Sequence, residues 1–196
     1  CSHNYIFYKD RTKSLTISRE PVRCKLAVSN KSIEQVMSFN YLGVNITSNQ
    51  NSTTEVKSQA RNASMISGAL RDVIWRNKFM SIESKTRIYK TCVRPIMTYA
   101  AETRADTKKT EQLVSTNEMK ILRSITGYTL YDKKTNEEIR STCGITNITR
   151  WIKQRRQGWK DHVNRMSENR LPKLAMTFEP DTPRPVGRPP TRWKQS

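Results

Sequence analysis

The hydrophobic period of this chain changes once, at a polar stretch that covers residues 47–54. Before this stretch, residues 24–28 and 33–36 flank a polar turn and predict a hairpin, and residues 39–46 predict a strand. Gly43 in that strand indicates a bulge or a close backbone approach. After the stretch, apolar residues recur at a helical period. We therefore predict a mainly α fold with a short N-terminal β-hairpin and strand region.

Three helices are predicted after the polar stretch. The second begins after Ser81, a suitable N-cap, and the internal Pro95 predicts a kink or break near Arg94. The third spans about residues 107–126 and ends at Gly127. The predicted buried stripe of the first helix is Val56, Ala60, Ala63, Ile66, Leu70 and Val73. That of the second is Ile82, Tyr89, Cys92, Val93, Ile96 and Tyr99.

Two further helices and a tail complete the predicted fold. Thr135 and Glu138 form a capping box that starts a short helix, and the last helix follows Asn147. From Leu171 onward the chain is rich in Pro and Arg and has no apolar period, so we predict an extended tail. These changes divide the chain into residues 1–47, 48–130, 131–170 and 171–196.

The charge of the chain predicts its partner. It carries 36 Lys and Arg against 17 Asp and Glu, a formal net charge of +19. Such a chain should bind nucleic acid with steep salt dependence, because each phosphate that it neutralises releases a counterion. Anionic membrane is the rival polyanion. No apolar run approaches the ~20 residues that span a bilayer, and we expect no membrane partner.

Cysteine spacing and the N-terminal residues predict the compartment. The four cysteines, Cys1, Cys24, Cys92 and Cys143, lack the close pairing that zinc sites use. We interpret them as isolated, reduced thiols. The first residues lack the basic and apolar regions of a signal peptide. We therefore expect an intracellular protein, nuclear or cytoplasmic, and not a secreted one.

The acidic residues do not form a catalytic cluster in the sequence. Polymerases and nucleases hold two metal ions with clustered carboxylates. Glu137 and Glu138 are adjacent, but the capping box accounts for at least one of them. Asp106 lies in a basic stretch and is interpreted as a helix-start residue, not a metal ligand. We predict no catalytic residue and no cofactor within this chain.

Basic residues interleaved with aromatic rings predict the binding surface. The last helix carries such a pattern, which suits phosphate contact and base stacking. Trp159 shares a face with Ile152 and Val163 and is predicted to be a core residue. The Gly-Arg-Pro sequence around Arg188 resembles an AT-hook, and a plain basic linker is the alternative. The predicted nucleic-acid-binding residues are Tyr41, Gly43, Lys57, Arg61, Lys85, Arg87, Lys90, Arg94, Lys153, Arg156, Lys160, Arg165, Arg184, Arg188 and Arg192.

Several ordered motifs resemble one family. Residues 39–43 (FNYLG) and 88–103 (IYKTCVRPIMTYAAET) resemble the region after the catalytic strands in non-LTR retrotransposon reverse transcriptases of the endonuclease–reverse transcriptase type. Arg104 stands where that family usually has Trp, which suggests decay or drift. The further matching segments, in order, are residues 117–127, 136–139, 158–166 and 187–193.

This resemblance implies a C-terminal segment of an RNA-directed DNA polymerase. Residues 1–47 would be the end of the palm with a primer-grip-like hairpin, and residues 48–130 a helical thumb. Residues 131–170 would be basic C-terminal helices, and residues 171–196 a basic Pro-rich tail. The implied partners are an RNA template, a DNA primer or target and the remainder of the polymerase. The paired aspartates that hold Mg²⁺ in the parent enzyme lie upstream of the matching region.

Two other interpretations remain open from the sequence. One is a stand-alone or domesticated DNA-binding protein that uses the basic last helix and the AT-hook-like tail. The other is a pseudogene product. The sequence does not separate RNA from DNA as the ligand, because both present phosphates and the 2′-OH contacts depend on structure.

Overall fold

The computed structural model describes residues 12–18, 22–28, 30–49 and 51–178. The chain divides after Glu55 into two compact units, an N-terminal unit and a C-terminal unit that begins at Val56. Short strands occupy the N-terminal unit, and the described part of the C-terminal unit is built from helices. The predicted mainly α fold with a short N-terminal β region is confirmed.

Strands pair two by two in the described part of the N-terminal unit. The pairs are β1 (Lys13–Ser14) with β4 (Glu34–Gln35), β2 (Ala27–Val28) with β3 (Lys31–Ser32), and β5 (Ser38–Tyr41) with β6 (Val44–Thr47). The β2–β3 hairpin lies within the predicted one but is shorter. Residues 34–35 do not form its second strand, because they pair in parallel with β1. Gln35 fixes this position by accepting from the Cys24 N–H at 2.9 Å and donating to the Val22 carbonyl at 2.7 Å.

The predicted single strand at residues 39–46 is a hairpin. Tyr41 pairs with Val44, and the two residues between them form the turn. Leu42 and Gly43 have φ values of 49° and 78°. Two consecutive positive φ values match the right-handed twist of the flanking strands, as in type I′ turns. Gly43 therefore marks the turn itself, and the expected bulge is wrong.

Helix α1 (Ser52–Ala69) opens the helical part of the chain and continues into a π-helical turn, Arg71–Trp75. The predicted stripe holds over its first turns, where Val56, Ala60 and Ala63 are buried. It is wrong at the end, because Ile66 and Val73 are 41% and 69% exposed. Trp75 is buried in the core at this end instead. Its indole Nε1 donates to the Ser67 carbonyl at 2.8 Å. The wider π turn moves the buried face away from the α-helical register.

Helix α2 (Ile82–Ile88) runs into a second π-helical turn (Tyr89–Val93) and then α3 (Arg94–Met97). Ser81 caps α2 as predicted, since its side chain accepts from the Ser84 N–H. The predicted irregularity near Arg94 takes the form of the π turn, which ends at Val93. Two residues later comes Pro95, which cannot donate a backbone hydrogen bond. Of the predicted stripe Tyr89 and Val93 are buried, Ile96 is half-buried, and Ile82, Cys92 and Tyr99 are exposed.

Helix α4 (Lys108–Thr126) is the longest described helix and runs through the core. It begins at the N-cap Thr107 and ends at Gly127, whose φ of 77° is left-handed. Both ends agree with the prediction. Its apolar residues follow the helical period: Val114, Ile121, Leu122 and Ile125 are buried, and Leu113 is half-buried.

The remaining helices are α5 (Asn136–Thr142), α6 (Ile148–Asn164) and α7 (Leu171–Thr177), with a 3₁₀ turn at Leu130–Asp132. The capping box is confirmed: Thr135 Oγ1 accepts from the Glu138 N–H, and Glu138 Oε2 accepts from the Thr135 N–H. Asn147 caps α6. The predicted extended tail from Leu171 is wrong for its first residues, because Pro172 lies in the first turn of α7, where no N–H bond is needed.

The core of the C-terminal unit draws on most of these helices. Its buried apolar residues are Val56, Ala63, Trp75, Tyr89, Val93, Met97, Ala101, Val114, Met119, Ile121, Leu122, Ile125, Ile139, Cys143, Ile145, Ile148 and Ile152. Among the described helices, none has the length and apolar character needed to cross a bilayer.

Candidate nucleic-acid interface

A cleft between α1 and α4 gathers four basic side chains. Lys57 and Arg61 line it from α1, and Lys109 and Lys120 line it from α4. The cleft has a volume of about 450 Å³. Its other lining residues are Ala60, Ser64, Gln112, Leu113, Thr116 and Asn117, so no acidic side chain is among the described residues that line it. We call this site the α1–α4 cleft.

Hydrogen bonds from Asn117 join the two walls of the α1–α4 cleft. Its Nδ2 donates to the Ala60 carbonyl at 3.0 Å, and its Oδ1 accepts from Ser64 Oγ at 2.7 Å. Asn117 is buried. Because a buried amide is costly to leave unpaired, these bonds hold α4 at a fixed distance from α1. The spacing of the basic side chains is therefore set by the core.

The charge arrangement in the α1–α4 cleft favours an anionic ligand. Lys57 and Arg61 are one helical turn apart, and such like-charge pairs destabilise an isolated helix by roughly 0.2–0.5 kcal/mol. Both are exposed, as are Lys109 and Lys120. A phosphate backbone in the cleft would relieve this repulsion and release counterions. The cleft therefore presents four exposed cations to an anionic ligand.

A second site lies along α6 and combines aromatic and basic side chains. Two adjoining cavities of about 550 and 410 Å³ share Trp151, Trp159, Arg155 and Glu102 in their lining. The first is also lined by Lys90, Arg94, Pro95, Thr98, Tyr99, Ala100 and Thr103, and the second by Gln154, Gly158 and His162. We call these two cavities together the Trp–Arg groove.

Two arginines lie on one tryptophan ring in the Trp–Arg groove. The guanidinium carbon of Arg94 is 4.6 Å from the Trp151 ring centroid, and that of Arg155 is 5.5 Å away. The Trp159 and His162 ring centroids are 5.5 Å apart with an interplanar angle of 42°. Arg155 is exposed and its guanidinium lies over Trp151. Trp159 is half-buried and lines the groove, so its predicted core position is wrong.

Arg156, a predicted phosphate contact, is buried in the interior instead. Its side chain is 1% exposed, and Nη2 donates to Asp106 Oδ2 at 2.8 Å. The same nitrogen donates to the carbonyls of Ala101 at 3.2 Å and Arg104 at 3.0 Å. These bonds attach α6 to residues 101–106. This segment follows α3 and includes Glu102 and Thr103, which line the Trp–Arg groove opposite α6. Arg156 therefore holds the groove together and does not present a charge to solvent.

Arg104, at the position where the family resemblance implies Trp, joins the hydrogen-bond network around Asp106. Its Nε donates to Asp106 Oδ1 at 2.9 Å, and its Nη1 donates to Gln59 Oε1 at 2.8 Å. Gln59 in turn donates to the Tyr99 carbonyl at 3.0 Å. Asp106 thus pairs with two arginines and is a buried structural residue, while Thr107 is the N-cap of α4. Arg104 is thus built into the fold by bonds to Asp106 and Gln59.

Glu118 on α4 is the centre of a second buried network. Its Oε2 accepts from Arg140 Nε at 3.2 Å and from the Ile148 N–H at 3.4 Å, and its Oε1 accepts from Tyr89 Oη at 3.3 Å. The carboxylate is fully buried. Burial raises the pKa of Glu118 above its ordinary value of 4.5, although Arg140 opposes the shift. Burial, with the Glu118 charge, also raises the pKa of Tyr89 well above its ordinary value. The network attaches α5 and the start of α6 to α4.

The other predicted contacts are distributed unevenly. Lys85 is buried, and its Nζ donates to the Trp75 carbonyl at 2.9 Å, so it is not a surface contact. Lys153 pairs with Glu111 at 3.1 Å. Lys90 lines the Trp–Arg groove and donates to the Gly144 carbonyl at 3.2 Å.

The remaining predicted contacts lie outside both sites. Arg87 and Arg165 are exposed and Lys160 is half-buried, and none of them lines the α1–α4 cleft or the Trp–Arg groove. Tyr41 and Gly43 are exposed at the β5–β6 turn of the N-terminal unit. Arg184, Arg188 and Arg192 lie outside the described residues.

Sequence reasoning missed half of the α1–α4 cleft. Lys109 and Lys120 were not among the predicted contacts. They are eleven residues apart on α4, close to three full turns, so both lie on one face of the helix. The sequence shows this spacing, but it does not show which face of α4 packs against α1.

The potential metal ligands are dispersed in the described part of the chain. No group of three or more His, Cys, Asp or Glu residues there could hold a metal ion. Cys24, Cys92 and Cys143 are free thiols. The resemblance places the Mg²⁺ ligands upstream of the matching region, and the described residues contain no such cluster.

Comparison with known proteins gives one informative match. The chain is 27% identical over 177 residues to an uncharacterised transposon-derived protein of Caenorhabditis elegans. The alignment covers 86% of this chain and 61% of the relative, so this chain spans less than two thirds of that protein. This match indicates a transposon origin. No family model matches this chain, and no solved structure matches it.

Proposed function

We propose that this transposon-derived chain is the thumb and C-terminal segment of a non-LTR retrotransposon reverse transcriptase, and that it holds the template–primer. The observation that carries the proposal is the α1–α4 cleft, in which Lys57, Arg61, Lys109 and Lys120 converge with no acidic residue in the described lining. Chemistry would occur on catalytic aspartates outside this chain. The chain would supply binding and orientation.

The structure supports a binding role in physical terms. A thumb must contact the sugar–phosphate backbone without reading its sequence, because it has to follow any template. Exposed Lys and Arg side chains on two rigid helices meet that requirement. The hydrogen bonds of Asn117 keep the two helices at a fixed distance, so the basic residues are preorganised.

The ordered motifs and the transposon-derived relative support the choice of parent enzyme. The motif at residues 88–103 begins at the last residue of α2 and continues through the π turn and α3 to residues that line the Trp–Arg groove. Under this proposal the exposed Tyr41 beside the β5–β6 turn belongs to the primer grip. The partners would be an RNA template, a DNA primer or target and the rest of the polymerase, which would bind Mg²⁺. Its location would be nuclear or cytoplasmic.

Equilibrium binding of the full chain to a labelled RNA–DNA hybrid tests this function. The double variant Lys57→Ala/Arg61→Ala should weaken binding about tenfold, because each lost phosphate contact removes one released counterion. The matched control is Arg71→Ala/Lys78→Ala, which removes the same charge from exposed residues outside the cleft lining. The control should lose less than about threefold. Equal losses in both variants, or no binding by the unmodified chain, would contradict the proposal.

A further inference from the structure

We propose that the Trp–Arg groove binds unpaired nucleotides of a single-stranded nucleic acid, by stacking their bases on Trp159 and on the arginine-covered Trp151. This inference rests on the proposed function, since the single strand would be an unpaired part of the same template–primer. It adds a second site of different chemistry to the α1–α4 cleft.

Trp159 is placed to stack on a ligand. It is half-buried and lines both cavities of the Trp–Arg groove. Trp75 shows the contrast within the same unit: it is 2% exposed, and its indole N–H is bonded to Ser67. A core tryptophan hides its ring in that way, whereas the Trp159 ring remains partly open beside His162. Each base that stacks on such a ring adds affinity without selecting sequence.

The charges of the Trp–Arg groove suit the strand that carries those bases. Lys90, Arg94 and Arg155 line the groove, against one acidic residue, Glu102. The Arg94 and Arg155 guanidiniums already lie over the Trp151 ring. A guanidinium held in this way offers a flat surface to a base and N–H groups to a phosphate. The site therefore combines stacking with charge neutralisation.

The geometry favours an unpaired strand over a duplex. Stacking on a side chain requires an open base face, and bases inside a duplex present only their edges. The adjoining cavities of about 410 and 550 Å³ have the size of small-ligand pockets, which suits individual nucleotides. The α1–α4 cleft, in contrast, has no aromatic side chain in its described lining, so it offers cations for phosphate and no ring for stacking.

The rival occupant of a tryptophan-lined groove is a proline-rich peptide, which docks between aromatic rings in several recognition domains. The three cations of the Trp–Arg groove favour a polyanion over such a peptide. A peptide competitor therefore belongs in the test as an outcome that would overturn the proposal.

The experiment compares two ligands on the full chain. A labelled single-stranded oligonucleotide of about 12 nucleotides and an RNA–DNA hybrid of the same length are titrated under identical salt. The variants are Trp159→Ala, Trp159→Phe and Lys57→Ala/Arg61→Ala. The measured quantity is the ratio of single-strand affinity to hybrid affinity. A thermal melt of each variant reports folding.

Trp159→Ala should lower that ratio about tenfold, on the scale of one lost base–aromatic stack. Trp159→Phe should restore most of the ratio, because it keeps a ring. The single strand should also quench tryptophan fluorescence, with a smaller amplitude in Trp159→Phe. Lys57→Ala/Arg61→Ala should raise the ratio, since it weakens hybrid binding most.

Several outcomes would overturn the inference. An unchanged ratio in Trp159→Ala, or displacement of the single strand by a proline-rich peptide but not by excess hybrid, would reject stacking of bases in the groove. Hybrid binding without any single-strand binding would reject it and leave the proposed function intact. If the unmodified, folded chain binds neither ligand, the proposed function itself is rejected.

Discussion

Arg156 and Asp106 form a buried ion pair across fifty residues of sequence, with Nη2 of the arginine 2.8 Å from Oδ2 of the aspartate. Both side chains are almost fully buried, at 1% and 4% exposure. Asp106 precedes α4 and Arg156 lies in the middle of α6. Helix α6 carries Trp151 and Trp159. The pair therefore fixes α6 against residues 101–106, the segment that follows the other wall of the Trp–Arg groove.

Breaking this pair should destabilise the fold strongly. Asp106→Ala leaves the Arg156 and Arg104 charges buried without a carboxylate, and removing one member of a buried pair costs about 3–5 kcal/mol. Urea unfolding of the C-terminal unit measures the loss. The control is Asp72→Ala, which breaks the exposed pair with Arg76 and should cost less than about 1 kcal/mol. Similar losses in the two variants would contradict the structural role of Asp106.

Titration of Glu118 should make the fold more stable at low pH than at neutral pH, which is the opposite of the usual effect of a carboxyl group. Its pKa is raised by burial, so the folded state holds this proton more tightly than the unfolded state does. This contribution to stability is fully present below the ordinary pKa of 4.5 and is lost as pH rises through the raised value.

Glu118→Gln isolates this effect because glutamine does not titrate. The free energy of unfolding of the unmodified chain, minus that of the variant, should increase as pH falls from about 7 to about 4. The subtraction removes the common acid destabilisation of a chain with a net charge of +19. A difference that decreases over the same range would show that Arg140, and not burial, dominates the Glu118 carboxyl.

Gly127 should be sensitive to substitution for a backbone reason alone. Its φ is 77°, and an added Cβ would meet no atom within 4 Å. Gly127→Ala should therefore cost about 1–2 kcal/mol, the strain of a left-handed residue with a side chain. Gly68 in α1 also has open space around its Cβ position but has helical geometry, so Gly68→Ala should stabilise by about 0.5–1 kcal/mol. Chemical denaturation compares the two, and equal signs would contradict this assignment.

Local signals in the sequence predicted much of the helical framework. Ser81, Thr107, Thr135 and Asn147 cap their helices, and Gly127 ends α4, because caps and left-handed residues act within one turn. The apolar period likewise located the core positions of α4. Helix caps and the helical period depend on residues a few positions apart, so they can be predicted from the sequence alone.

Long-range pairing accounts for the errors. Arg156 is predicted to bind nucleic acid, but it is buried because its partner Asp106, fifty residues away in the sequence, lies beside it in the fold. Lys85 is buried and its ammonium group donates a hydrogen bond to the Trp75 carbonyl. Trp75 reaches that position through a π turn that the helical period does not predict. For the same reason the half of the α1–α4 cleft on α4 could not be assigned before the packing of α4 on α1 was known.

The salt dependence of hybrid binding tests the central claim most directly. Four cations of the α1–α4 cleft should each release about 0.9 counterion on binding. The quadruple variant Lys57→Ala/Arg61→Ala/Lys109→Ala/Lys120→Ala should therefore make the slope of log affinity against log salt shallower by roughly three to four. A variant that removes the exposed Arg71, Lys78, Lys133 and Arg170 should leave the slope within about one of its original value. An unchanged slope in the cleft variant, or an equal change in both, would contradict nucleic-acid binding by this cleft.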